Sequence, residues 1–413
     1  MDSDLLIQKN NQPTPQPTRY DERQRAILAA ATAAFNEKGV RGANLAEIAA
    51  AVGLTTTGLT YYYKTKEALA AACFLEGIAA YSKVNDVSSG AAGLSVAALV
   101  DAHFRLWEDI KRQARQRPVL FDDIRTLSRQ VSQPVFAAYT QMFRELRTLI
   151  FPADESCSLS RADKNARTHL VLGSLLWLPG WLPSQELEDY PFDSKGIADL
   201  LICGLAAPDW RPTDIRVTIP MSDAGPRESF LRAATKQIND HGYHGASVEK
   251  ISASLNVSKG SFYHYNRNKD ELVLDCFELT FRVLREAQNL GRRLPCSGLD
   301  RLRATCAALA EYQMSSRGPL LRTTALAALP GPSRREMIAR MNRLSDRFGS
   351  MIADGIIDGS IRPVDPRLGG QLINPMINGA AELQRWCPQA STENVTRLYV
   401  DALIKGLYET SLS

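Results

Sequence analysis

A gapless internal repeat is the feature that most constrains what this chain can fold into. Aligning Gly39 with Gly242, an offset of 203 positions, lays 43–69 over 246–272 with no insertion or deletion. Self-similarity over this distance indicates that one structural unit occurs twice. The identical pairs include Leu28/Leu231, Ala30/Ala233, Ala31/Ala234, Thr32/Thr235, Asn36/Asn239, Gly39/Gly242, Gly42/Gly245, Ile48/Ile251, Tyr62/Tyr265, Lys66/Lys269, Leu69/Leu272 and Phe74/Phe277.

Each copy has the pattern of two short helices joined by a tight turn. In the second copy, Val248, Ile251 and Leu255 fall on one face of a helix. Asn256 follows, and asparagine tolerates the backbone conformation that such a turn requires. The next predicted helix, 259–265, is rich in side chains that donate hydrogen bonds. A helix–turn–helix places a helix of this kind in the major groove of DNA.

Two sets of motifs connect this pattern with a known family. The first copy carries Gly39, Leu45-Ala-Glu-Ile-Ala, Gly53-Leu-Thr and Tyr62-Tyr-Lys-Thr-Lys-Glu. The second carries Gly242, Val248-Glu-Lys-Ile, Val257-Ser-Lys-Gly-Ser-Phe-Tyr-His-Tyr and Asn268-Lys-Asp-Glu-Leu. Both copies resemble the DNA-binding domain of TetR-family transcriptional repressors. The resemblance implies an all-α fold of two TetR-like units, each with an N-terminal three-helix head followed by a helical ligand-binding and dimerisation domain.

Five positions depart from the family pattern. The first head has Thr57-Gly58 where Gly followed by Ser or Thr is usual, and Thr60 where Tyr is usual. The second has Asn256 in place of the turn glycine and Asn266 where an aromatic residue is common. These differences leave open whether both heads bind DNA equally well.

The hydrophobic pattern and the proline-rich stretches divide the chain into six segments. In order, they are a disordered tail (1–18), the first helix–turn–helix domain (19–74), the first helical domain (75–207), a linker (208–226), the second helix–turn–helix domain (227–278) and the second helical domain (279–413).

Residues that could contact DNA are the hydrogen-bonding and cationic side chains of the two second helices and of the positions just after them. Base-edge contacts are expected from Thr55, Thr56, Thr57, Tyr61, Lys259, Ser261 and His264, and phosphate contacts from Tyr62, Lys66, Tyr263, Tyr265 and Lys269. Tyr63 and Tyr263 could instead pack in the small cores of the heads.

The resemblance also implies a small-molecule effector held in the helical domain of each unit. The predicted pocket residues are aromatic or large apolar side chains: Phe104, Trp107, Phe121, Trp177, Trp181, Tyr312, Met314, Leu320 and Trp386. Aromatic residues at helical spacing more often belong to a core than to a pocket. No charged cluster stands out in the sequence, so an apolar or aromatic effector is expected.

Bulk properties add little to this interpretation. The net charge of +4 argues only weakly for a nucleic-acid partner. The seven cysteines form no C-x-x-C pair, which favours reduced thiols and a cytoplasmic location. No signal peptide or membrane-spanning segment is evident. His241 and His244 have the spacing of metal ligands but lack further ligands nearby, and no catalytic motif appears, so we predict no cofactor, no metal and no enzyme activity.

Two questions remain open at the level of sequence. The two units could form an intramolecular pseudo-dimer that reads an imperfect palindrome in a double-stranded DNA operator, or two chains could associate as a homodimer with four heads. The protein could also be a ligand-sensing or scaffold protein whose heads no longer bind DNA. We favour a monomeric pseudo-dimer that acts as a ligand-released repressor.

Overall fold

The computed structural model describes residues 18–86, 92–152, 158–220, 225–254 and 268–408. Within these ranges the regular structure is helical, apart from one isolated β-bridge between Ala206 and Ile361. The all-α prediction is confirmed. Residues 1–17, which include almost all of the predicted tail, lie outside the described ranges.

The first unit consists of a head and a helical domain. The head contains α1 (Arg19–Gly42), α2 (Leu45–Ala51) and α3 (Thr56–Tyr62), and α4 (Lys66–Asn85) leads from it into the helical domain. The helical domain continues with α5 (Ala92–Lys111), a 3₁₀ segment (Phe121–Thr126), α6 (Arg129–Ile150), α7 (Arg161–Trp177), three short 3₁₀ turns between Leu178 and Asp189, and α8 (Tyr190–Cys203).

The second unit repeats this order. Its head contains α9 (Pro226–Gly245) and α10 (Val248–Ser254), and α11 (Lys269–Arg292) corresponds to α4. The helical domain continues with α12 (Gly298–Met314), a 3₁₀ segment (Thr323–Ala328), α13 (Gly331–Ile357), α14 (Pro366–Ala380), a 3₁₀ turn (Leu383–Arg385), a π-helical segment (Thr396–Val400) and α15 (Asp401–Lys405).

Three local features define the start of α2, the course of the linker and the end of the last helix. Asn44 caps α2, and the Glu47 carboxylate in the first turn of that helix pairs with Lys38. The linker is partly anchored, since Val217 and Ile219 are buried. The last helix, α15, ends at Lys405 and is followed by Gly406, whose φ of 92° departs from the helical region.

The closing helices of the two units pack against each other. α7 lies against α14 and the π-helical segment, and α8 lies against α14 and α15. Leu170, Leu172 and Leu175 of α7 are buried. Between the units, the Tyr399 hydroxyl and His169 Nδ1 are 3.0 Å apart, and Asn165 Nδ2 donates to the backbone oxygen of Trp386 over 2.7 Å.

Two glycines, each directly after the last helix of its unit, lie where the two chain segments meet in this interface. The backbone N–H groups of Leu205 and Ala206 donate to the carbonyl oxygen of Ile404, and the Leu407 N–H donates to Leu201. Gly204 has φ = 70° and Gly406 has φ = 92°. A Cβ atom on Gly406 would lie 2.3 Å from the carbonyl oxygen of Ile202. The two chain segments can therefore cross only where neither has a side chain.

Gly406→Ala tests this crossing. The substitution combines an unfavourable positive φ with a backbone clash, so we expect it to lower the free energy of unfolding by about 2 kcal/mol or more. Gly359→Ala is the matched control, because Gly359 has φ = 78° but nothing within 4 Å of the added Cβ; its expected loss is about 1 kcal/mol. Equal losses in urea denaturation would contradict a steric role for the crossing.

Candidate DNA interface and inter-unit cavity

The first head is a three-helix domain with a small apolar core. Ile27, Phe35, Ile48 and Leu59 are buried in it. Gly53 makes the turn between α2 and α3 with φ = 66°, as expected for a helix–turn–helix. The Thr55 hydroxyl accepts a hydrogen bond from the Gly58 N–H and thereby caps α3.

The outer face of α3 carries most of the predicted base-contacting side chains of this head. Thr56 and Thr57 are exposed, and Tyr61 is 78% exposed. Tyr62 stacks on Tyr20 of α1 with ring centroids 4.9 Å apart, which ties α3 to the first helix. Short hydroxyl side chains and a projecting tyrosine on one helix face provide the donors and acceptors that base edges and phosphates require.

Two other residues of this head have structural partners. Tyr63 is buried, and its hydroxyl accepts a hydrogen bond from Gln24 Nε2 over 3.0 Å, so it belongs to the core of the head. Lys66 Nζ donates to the backbone oxygens of Arg41 at 2.8 Å and Ala43 at 3.0 Å. Burial lowers the pKa of Lys66. The predicted contact of Lys66 with phosphate stays a prediction, and the lysine also holds the end of α1 against α4.

The second head is described only in part. Lys259, Ser261, Tyr263, His264 and Tyr265 lie outside the described residues, together with the rest of 255–267. The predictions for these five residues therefore remain predictions.

Lys269, the remaining predicted contact of the second head, is described. Its Nζ lies over the Tyr243 ring, 4.3 Å from the centroid, and burial lowers its pKa. Asn268 caps α11, just as Thr65 caps α4 at the corresponding position in the first unit. The two heads therefore share the capping of the helix that follows them, whereas Lys66 and Lys269 make different contacts.

A repeated asparagine joins each head to its helical domain, a role that the sequence analysis missed. Asn36 Nδ2 donates to the backbone oxygen of Pro118 at 3.0 Å, and Asn36 Oδ1 accepts from the Leu120 N–H at 2.8 Å. Asn239 makes the same pair of bonds, to the oxygen of Leu320 and the N–H of Arg322. The Asn36/Asn239 identity was the available signal, but its partners lie about 80 residues away.

The heads and the helical domains also make contacts across the two units. α1 packs against the 3₁₀ segment 323–328 of the second unit, and α9 packs against the 3₁₀ segment 121–126 of the first. α1 and α9 also contact each other directly. The first helix of each head, α1 or α9, therefore contacts the helical domains of both units. A shift of one unit against the other would move the heads.

A cavity of about 1020 Å³ lies between the two units, beneath the heads. Its walls come from α1, α6 and α7 of the first unit and from α9, α11, α13 and α14 of the second. Four of the predicted ligand-binding residues line it: Phe121, Trp177, Trp181 and Trp386. The Trp386 ring stacks on Phe143 with centroids 3.7 Å apart, so the two units share one aromatic wall.

The other predicted ligand-binding residues do not line this cavity. Phe104 is buried and meets Trp181 and Tyr190 edge-on, and Trp107 is buried with Arg117 over its ring. Tyr312 and Leu320 are buried within the second helical domain, and Met314 packs against the core there. Aromatic content alone did not separate core residues from cavity residues, because both sets occupy inward faces of helices.

One carboxylate beside the cavity joins the two units. Glu382, just after α14, forms ion pairs with Arg125 of the first unit and Arg322 of the second, and Arg385 Nε lies 3.3 Å from the same carboxylate. Arg125 lies in the 3₁₀ segment 121–126, against which α9 packs. Arg322 directly precedes the 3₁₀ segment 323–328, against which α1 packs. Glu382 therefore holds together the two supports of the heads.

Two further properties of the described residues bear on chemistry. Burial lowers the pKa of His169, which lines the cavity, to about 4, so this histidine is neutral at physiological pH. No group of three or more potential metal ligands occurs among the described residues, and none of the described helices is both long and apolar enough to cross a membrane.

Comparison with known proteins agrees with this architecture. The model of the bacterial regulatory proteins, tetR family, matches twice, at residues 27–73 and 230–276, and that of the tetracyclin repressor-like C-terminal domain matches residues 295–407. Together the matches span half of the chain. The two head matches coincide with the repeat.

Individual relatives resemble a single unit or a single head. An uncharacterized HTH-type transcriptional regulator of Bacillus subtilis, YhgD, is 23% identical over 183 residues, which cover 44% of this chain and 96% of that protein. The transcriptional regulator AcuR of Cereibacter sphaeroides is 39% identical over 51 residues, 12% of this chain and 23% of that protein. Among solved structures, the TetR-family regulator PfmR of Thermus thermophilus is 25% identical with a TM-score of 0.38, covering 44% of this chain and 99% of its own.

The repeated head, the helical domain behind each head and the two family matches lead to one assignment. The chain belongs to the TetR family of transcriptional regulators and contains two TetR-like units in tandem.

Proposed function

We propose that this protein is a cytoplasmic repressor that works as an intramolecular pseudo-dimer. Its two heads bind the two halves of one imperfect palindrome in double-stranded DNA, and a small molecule held between the units releases it. The predicted domain boundaries and the DNA-contacting residues named above form part of this proposal.

The observation that carries the proposal is the packing of the closing helices. α7 and α8 lie against α14 and α15 within one chain, so the apolar faces that a partner subunit would cover are already covered. A two-fold interface uses the same surface on both partners. With that surface occupied internally, one chain supplies both heads.

Release requires that a ligand favour a different arrangement of the heads. Both units line the cavity, and its wall includes Arg125 and Arg322. Arg125 lies in the 3₁₀ segment that supports α9, and Arg322 adjoins the 3₁₀ segment that supports α1. A ligand that separates these supports would change the distance between the heads. Recognition of two half-sites one helical turn apart depends on that distance, about 34–36 Å in helix–turn–helix dimers.

Binding to DNA is tested with the full chain and a duplex selected from random sequence. We expect one chain per duplex in sedimentation, and an affinity that falls by about 10³-fold or more between 50 and 200 mM salt, since phosphate contacts release counterions. A salt-independent affinity, or no selected sequence at all, would instead favour a ligand-sensing or scaffold protein. Two chains per duplex would contradict the pseudo-dimer.

Tyr61→Ala tests the recognition face of the first head. Because Tyr61 is 78% exposed on α3, its removal should leave the melting temperature unchanged and weaken binding to the selected duplex by about 1–3 kcal/mol. Phe192→Ala is the matched control, as Phe192 is 73% exposed on α8, outside the heads. If both variants bind like the wild type, α3 does not contact the DNA. Lys66 is less suitable, since its substitution would also release the end of α1.

Glu382→Gln tests the ionic link between the supports of the heads. It leaves two part-buried guanidinium groups without their carboxylate, so we expect a loss of about 1–3 kcal/mol in the free energy of unfolding and weaker DNA binding. Glu278→Gln, which removes a pair with Arg340 at a more exposed carboxylate, is the control and should change both quantities little. Unchanged DNA affinity in Glu382→Gln would show that the link does not position the heads.

A further inference from the structure

The inter-unit cavity is strongly basic, although the chain as a whole is not. Nine lysine and arginine side chains line it against two acidic ones, Asp123 and Glu382, whereas the whole chain has 49 basic and 45 acidic residues. The basic residues are Lys38, Arg41, Arg117, Arg125, Arg144, Arg147, Arg161, Arg322 and Arg385. This excess was not visible in the sequence, because the residues are spread over most of the length of the chain.

The two carboxylates neutralise only part of this positive charge. Glu382 is shared among Arg125, Arg322 and Arg385. Asp123 Oδ2 accepts a hydrogen bond from the Val40 N–H over 2.6 Å and so is engaged by the backbone of α1. Both acidic groups therefore lie at the end of the cavity nearest the heads.

Three arginines of the first unit form a separate group, the arginine cluster: Arg144 and Arg147 on α6 and Arg161 at the start of α7. None of the three forms an ion pair with a carboxylate among the described residues. Burial, together with the charges of Arg161 and Arg144, lowers the pKa of Arg147. Arg144 and Arg161 are exposed and Arg147 is half-buried, which places the cluster at the mouth of the cavity.

The arginine cluster adjoins the aromatic wall. Arg147 Nη1 donates to Asn165 Oδ1 over 2.8 Å, and Asn165 Nδ2 donates to the backbone oxygen of Trp386 over 2.7 Å. Trp386 in turn stacks on Phe143 at 3.7 Å. Cationic donors and a stacked aromatic surface therefore lie next to each other, the arrangement that binds a molecule with an anionic group on an apolar or aromatic body.

The second unit does not repeat the cluster. Its α13, the counterpart of α6, lines the cavity with Ile338, Met341, Asn342, Leu344 and Ser345. Arg347 on this helix donates instead to the side chain of Gln288 over 2.9 Å and does not line the cavity. The α6 face of the cavity is thus basic, whereas the corresponding α13 face carries apolar and neutral side chains.

We propose that the inter-unit cavity is a single site for one amphipathic organic anion, with the anionic group on Arg144, Arg147 and Arg161 and the apolar body between Phe143, Trp386 and the apolar wall of the second unit. This proposal deepens the proposed function by giving the class of the effector, and it rests on that function only for the regulatory role of the ligand. The sequence led us to expect an apolar or aromatic effector, and the cavity adds the expectation that this effector carries an anionic group. Because the site is asymmetric, the stoichiometry is one ligand per chain rather than one per unit.

The test uses two fluorescent probes of nearly equal size and the full chain without DNA. Anilinonaphthalene sulfonate is an aromatic anion, and phenylnaphthylamine is the same ring system without the sulfonate. We expect the anion to bind with one site per chain and at least about tenfold more tightly than the neutral probe, the difference that one charge-assisted hydrogen bond produces. Trp386 lies in the wall, so its quenching should accompany binding.

Variants then locate the anionic group. Changing the three arginines of the cluster to Gln should weaken binding of the sulfonate by about tenfold or more while leaving the neutral probe unchanged. Arg347→Gln is the matched control, a half-buried arginine of the corresponding helix that does not line the cavity, and it should leave both probes unaffected. Melting temperatures near that of the wild type would confirm that the variants are folded.

Three results would overturn the proposal. They are two equivalent sulfonate sites per chain, equal affinities for the two probes, or a cluster variant that binds the sulfonate as tightly as the wild type. The readout involves no DNA, so failure here leaves the proposed DNA binding standing. Conversely, a chain that binds the anion but no duplex would retain this site and lose the proposed function.

Discussion

The packing of the closing helices of one unit against those of the other is the interaction on which the rest of the structure depends. It places α7 and α8 beside α14 and α15, and the Gly204–Gly406 crossing fixes their approach. Covalent linkage favours this arrangement over association of two chains, because it gives the units an effective concentration on the order of millimolar for each other. The heads, the asparagine bonds and the cavity all take their positions from this interface.

Joining two units in one chain removes a constraint that a homodimer must obey. In a symmetric dimer, any arginine on one wall of a central cavity recurs on the opposite wall. Here the copies have diverged, so α6 contributes Arg144 and Arg147 while α13 contributes apolar and neutral side chains. The same freedom explains how Glu382 of the second unit can hold Arg125 and Arg322 with no equivalent carboxylate being required in the first. Divergence of the copies thus makes the lining of the shared cavity asymmetric.

The sequence was most informative where structure depends on neighbouring residues. The motifs of the repeat and the turn glycine Gly53 are local features, and the first head has the helix–turn–helix that they predict. The crossing at Gly406 was not visible in the sequence, because it depends on a close approach to Ile202, about half the chain away. The proposed ligand site was only half predictable for the same reason. Trp177, Trp181, Phe121 and Trp386 do line the cavity, but nothing local shows that the two units share it or that arginines gather at its mouth.

The most direct test of this account is the mass of the protein in dilute solution without DNA, measured by sedimentation equilibrium. Closing helices that are already paired within one chain leave no such surface for a second chain, so the account predicts a mass of 45.6 kDa, that of a monomer, at micromolar concentration. A stable species of twice that mass, dissociated by substitutions on the closing helices, would show that these helices pair between chains and would contradict the intramolecular pseudo-dimer.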